Sequence, residues 1–215
     1  LEFALPDSIP LTGYYYPNKM GRILLLSLEE VMGRNDLETL LQNSSLSEYI
    51  HNLPPEDYER QFDFAHITNL LNSLEILYGP RGSRSLAVRS GQAMFEHGLR
   101  NFGSLAGVSD PAFKVLPLST KLKIGLPTVA RIFTQLSDQV SHVEEKSDSY
   151  LYYIDRCPMC WGRQADKPIC HISTSILQSA LRWVSDGLEF RVEEVECIAM
   201  GDAACIFQVD KEPIK

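Results

Sequence analysis

All five cysteines of this 215-residue chain, Cys157, Cys160, Cys170, Cys197 and Cys205, fall between residues 157 and 205, and none precedes them. An odd number of thiols gathered in one part of a mid-sized acidic chain does not suggest a disulfide framework. With Glu and His interspersed, it points to a metal or redox site in a reducing compartment, which is read here as the cytoplasm. Whatever fold the C-terminal part adopts must bring these side chains to one place.

The local patterns show how it could. Phe190–Ile198 and Ala204–Val209 alternate as two strands of a hairpin turning at Met200-Gly201-Asp202, so Cys197 and Cys205 sit together at one end. Cys170 stands just before a predicted helix over about Ile172–Val184, where free N–H groups and the helix dipole favour a thiolate. Glu193, Glu194 and Glu196 lie beside Cys197. In a regular strand Glu194 and Cys197 point to opposite faces, so a site using both requires a β-bulge between them; otherwise a neighbouring glutamate takes another role. Cys157-Pro158-Met159-Cys160 is half of a zinc or iron–sulfur site, a redox pair, or two reduced structural thiols, with Trp161 and Gly162 making a packed turn beside it.

Upstream the periodicity is helical. The first 20 residues, rich in Pro and Tyr, read as an arm on the body or on a partner, and residues 21–212 as a single domain whose motif-bearing part is 141–210. Helices are expected over Gly21–Gly33, around Leu37–Leu41, from Asp63 to Tyr78 with a stop at Gly79-Pro80, from Ser83 to Phe102, and from Leu118 to Val140 with Pro127 as a kink. Gly91 and Gly98 would let a helix or a ligand approach closely. Ser141–Glu145 and Tyr150–Asp155 then read as a further hairpin. The sum is a helical first part over a mostly antiparallel sheet.

Several functions are disfavoured at this level. A net charge of -8 and a pI near 5.1 leave no basic excess for nucleic acid. The longest apolar run, Ile23–Leu26, is far short of the roughly 20 residues of a membrane span. The chain begins at Leu1 rather than Met, as a trimmed chain would, and no stretch reads as a signal peptide. His51, His66, His97 and His142 are scattered without ligand spacing, and there is no phosphate loop, dinucleotide fingerprint or catalytic triad pattern. No catalytic residue is therefore assigned, and an enzyme is the less favoured class.

The stretch Pro168-Ile169-Cys170-His171, the amphipathic helix to Trp183, and Glu194-Val195-Glu196-Cys197 through Gly201-Asp202-Ala203-Ala204-Cys205-Ile206-Phe207 together resemble the 4-vinyl reductase domain family. That family includes predicted hydrocarbon-binding proteins, a protein of bacteriochlorophyll vinyl reduction, and the sensor domains of phenol-responsive activators. The resemblance implies an α/β sandwich, an antiparallel sheet flanked by helices, similar to vesicle-tethering subunits and haem-NO-binding-like domains. It also implies a homodimer with an apolar pocket. Carried over by position, the zinc ligands of the sensor members fall on Cys170, Glu194, Cys197 and Cys205, with His171 the substitute for Cys170.

Phe95, Phe102, Phe133, Tyr152, Trp161 and Trp183 are candidate pocket residues. The implied function is a zinc-braced module binding a hydrophobic, aromatic or tetrapyrrole ligand, for sensing through a protein partner or for an assembly role in photosynthesis. The alternatives are a vinyl-tetrapyrrole reductase component and an iron–sulfur or thiol redox protein.

Overall fold

The computed structural model describes residues 8–103, 107 and 110–214. Strand β1 (Tyr15–Pro17) pairs antiparallel with β2 (Arg60–Asp63) and leads into helix α1 (Asn18–Met32). Residues before α1 do lie on the body: the Ile9 N–H donates to Asn69 Oδ1 at 2.9 Å, and the Thr12 and Gly13 N–H groups donate to the Asp63 carboxylate. Helix α1 buries Met20, Ile23, Leu24 and Leu28 along one stripe. Its Gly21 sits directly against Phe62 of β2, whose ring carbon would be 2.3 Å from any added Cβ. Helix α2 (Arg34–Asn43) follows immediately, with Leu37, Leu40 and Leu41 fully buried.

Helix α3 (Phe64–Phe102) is capped by Asp63, whose side chain accepts the Ala65 N–H at 2.7 Å. The expected stop is a break within this run: Gly79 leaves helical geometry at φ 67°, ψ 171°, and Pro80 opens the second half. Leu77, expected in the buried stripe, is 38% exposed because the helix axis changes there. After a short helix α4 (Pro111–Lys114), α5 (Leu118–Leu136) carries Pro127 without interruption. It ends four residues earlier than expected, where the Ser137 hydroxyl donates to the Phe133 carbonyl and the chain turns extended.

The second sheet is wholly antiparallel, in the order β3 (Ser141–Glu145), β4 (Ser149–Ile154), β6 (Cys205–Asp210), β5 (Val192–Glu196). Helix α6 (His171–Val184) packs on α3 on one side and on β5 and α5 on the other. Its contact with α3 is close because Gly91 has no side chain: an added Cβ would meet the Ile172 carbonyl oxygen and Ser175 Cβ, both at 2.8 Å. The Ser175 hydroxyl donates to the Val88 carbonyl at 2.7 Å across the same junction. Gly98, one helical face further on, meets nothing within 4 Å and borders open space. No helix among the described residues is long and apolar enough to cross a membrane.

Candidate metal centre and apolar cavity

The five cysteine side chains meet at one end of this sheet, all unpaired by disulfides and fully buried. Three structural pieces supply them. The turn after β4 brings Cys157 and Cys160; the residue before α6 brings Cys170; the β5–β6 connection brings Cys197 and Cys205. Cys170 caps α6, and its carbonyl takes the Thr174 N–H at 3.1 Å, so the thiol lies in the positive field of the helix N-terminus.

The parity problem at Glu194 is solved in the backbone. Glu194 pairs with Phe207 and Glu196 with Ile206, so Val195 is extra, a bulge in β5. Val195 and Glu196 both face outward, and Glu194 and Cys197 both face the cluster. One oxygen of Glu194, Oε2, accepts the Cys170 N–H at 2.8 Å; the other, Oε1, is buried with no hydrogen-bond partner.

Two sets of four donors emerge. The Sγ atoms of Cys157, Cys160, Cys170 and Cys205 lie within 4.8 Å of one another, and so do those of Cys170, Cys197 and Cys205 with a Glu194 oxygen. Individual Sγ–Sγ separations are 3.4 Å for Cys160–Cys205, 3.6 Å for Cys157–Cys170, 3.7 Å for Cys170–Cys205, and 3.9 Å from Cys197 to each of Cys170 and Cys205. Thiolates on a tetrahedral zinc stand about 3.8 Å apart, given a Zn–S bond of about 2.3 Å. The donor set therefore fits a metal ion, and the orphaned Glu194 oxygen is the atom such an ion would satisfy.

Without a cation these groups resist ionisation. Burial pushes the Cys157 thiol up, contact with Cys157 and the other thiols pushes up Cys170 and Cys205, and burial raises the Glu194 carboxyl. His171, the substitute ligand, belongs to neither donor set. Burial, reinforced by Arg84, Arg163 and Lys167, lowers its imidazole to about 4.

A second feature lies further along α6. A cavity of about 150 Å³ is enclosed by Met20 and Ile23 of α1, Met94, Phe95, Gly98, Leu99 and Phe102 of α3, Leu126, Val129 and Phe133 of α5, and Ile176, Ala180, Leu181 and Trp183 of α6. Among the described residues, the one polar side chain in its wall is Tyr16, whose hydroxyl is taken up by the buried Gln139. Of the expected aromatic lining, Phe95, Phe102, Phe133 and Trp183 are present. Trp161 is not: the turn at Cys160 turns it away to pack edge-on against Tyr14 at 5.2 Å and beside Phe64. Tyr152 lines a smaller void next to the cavity. The aliphatic part of the wall, including Leu126, Val129 and Ala180, had no signal that separates it from ordinary core.

No curated protein matches this chain. Among solved structures it is similar to a doubly substituted Tt H-NOX protein, with TM-score 0.58 and 12% identity over 93% of this chain and 97% of that one. It is likewise similar to an H-NOX protein from S. oneidensis in the Fe(II)NO ligation state, with TM-score 0.59 and 10% identity over 90% and 98%. A third is the Fe(II) unliganded H-NOX protein from K. algicida, with TM-score 0.55 and 14% identity over 92% and 97%. At such identities the likeness is one of fold. Residues 152–211, which hold all five cysteines and the bulged strand, match the family model of the 4-vinyl reductase domain, so the chain carries that domain's motif on an H-NOX-like α/β fold.

Proposed function

We propose that this chain is a small-molecule-binding, sensor-type domain whose cavity takes a hydrocarbon of about one aromatic ring and whose sheet-to-helix joint is braced by zinc. The observation that carries the reading is the cavity itself. An engineered void of about 150 Å³ lined by Leu, Ile and Phe in another protein stays dry and binds benzene, and the volume and lining here are of that kind. Cys170, Glu194, Cys197 and Cys205 would hold the zinc, which would supply coordination energy that fixes the start of α6 against β5 and β6. The Sγ atoms leave room for a single ion at the centre of each set, and a cluster of several irons and sulfides does not fit within 4.8 Å. Five buried, unoxidised thiols suit a cytoplasmic location. A signal would leave through a protein partner or a second copy of the chain.

One of the similar H-NOX structures concerns haem distortion, which raises haem as a ligand. The residues here do not fit it: among the described residues no histidine or cysteine lines the cavity, and a tetrapyrrole is several times too large for about 150 Å³. The same volume weighs against vinyl reduction and a pigment-assembly role.

The lining also predicts selectivity. A phenol hydroxyl would enter without a free partner, at a cost of about 1–3 kcal/mol. Mass spectrometry of an organic extract, with melting curves in toluene and in phenol, tests this. We expect an apolar co-purifying compound, or a rise in melting temperature with toluene that exceeds the rise with phenol. No extractable apolar molecule and no stabilisation by toluene would overturn the reading.

A further inference from the structure

The cluster holds more donors than one ion uses. Zinc at Cys170, Glu194, Cys197 and Cys205 leaves Cys157 and Cys160 in the same buried wall, 3.6 Å from Cys170 and 3.4 Å from Cys205. These two are not a separate site, because the set that contains them is completed by Cys170 and Cys205 again. The two donor tetrahedra share one edge, Cys170–Cys205, of 3.7 Å.

We propose that the site is binuclear: two thiophilic divalent ions, with Cys157 and Cys160 terminal on one, Glu194 and Cys197 terminal on the other, and Cys170 and Cys205 bridging both. The inference rests on the zinc-brace reading and extends it to a second ion. Six donors are the number that two edge-sharing tetrahedra require, and the cluster offers five thiols and one carboxylate.

The bridging positions fall on the two thiols best placed to carry shared charge. Cys170 lies at the N-terminus of α6, and Cys205 Sγ accepts the Ile198 N–H at 3.4 Å. Binding releases one proton from each thiol and oxidises nothing. With all six donors ionised, two divalent ions leave a net charge of about −2, as one ion does when four donors are ionised, so charge gives no advantage to the smaller occupancy. A second ion would tie the turn after β4 to the α6–β5–β6 junction, which a single ion at the Glu194 set does not reach.

The test is metal stoichiometry on the whole chain, loaded anaerobically with cadmium alone and followed by sulfur-to-metal charge-transfer absorbance and cadmium NMR. We expect the absorbance to break at two ions per chain, with two cadmium resonances coupled to each other through the shared thiolates. The double variant Cys157→Ser/Cys160→Ser should keep one ion and one resonance. The wild-type count stands even if that variant does not fold. A break at one ion per chain overturns the binuclear site and leaves the zinc brace intact; no bound ion overturns both.

Discussion

The thiol cluster and the apolar cavity sit at the two ends of α6 and are specified in opposite ways. At the N-terminal end every contributor is a rare side chain at a fixed atom: Cys170, Glu194, Cys197 and Cys205, with Cys157 and Cys160 against them. Further along the helix, Ile176, Ala180, Leu181 and Trp183 contribute only shape and apolarity, and similar residues could replace them. The cluster therefore acts as the anchor and the cavity as the adaptable part. One helix serves both, so whatever disturbs the anchoring of α6 should be felt at the cavity wall.

The largest expected effect is at the anchor. Cys205→Ser, which removes a donor common to both sets, should cost several kcal/mol or prevent folding, since coordination energy is folding energy here. A melting curve equal to wild type would show that the cluster is no anchor. Gly91→Ala should cost about 2 kcal/mol by forcing α3 and α6 apart where the added carbon meets backbone, and denaturant titration measures it. Ala180→Phe should reverse the balance. It fills the cavity, lowering toluene affinity tenfold or more, which is about 1.4 kcal/mol, while leaving metal content unchanged.

Smallest is the cap at the start of α3. Burial alone would raise the Asp63 carboxyl, but N–H donors from Ala65, Thr12 and Gly13 and the Thr12 hydroxyl outweigh it and hold it below its ordinary range. A depressed native value means that its stabilisation is fully present above an unfolded value of about 3.9 and is lost as pH falls through the native one. Asp63→Asn should cost about 1 kcal/mol at neutral pH and flatten that acid limb, as pH-dependent unfolding would show.

What was legible in the sequence follows the same division. The cysteines and Glu194 stood out because few residue types can do what they do, and the bulge at Val195 was required by parity before it was seen. The helices and both C-terminal hairpins were readable from periodicity. Strands β1 and β2 were not, since Tyr-Tyr-Pro and Arg-Gln-Phe-Asp show no alternation and are held as strands by each other and by Gly21 beneath Phe62. Trp161 was misplaced for a general reason: an aromatic residue announces burial and leaves open which void it faces.

The most direct test of the central claim is a calorimetric titration of toluene into the metal-loaded protein. The account predicts one site per chain, a Kd between roughly 10 µM and 1 mM, and a negative heat-capacity change from buried apolar surface. Absence of saturable heat up to the solubility limit of toluene would contradict it.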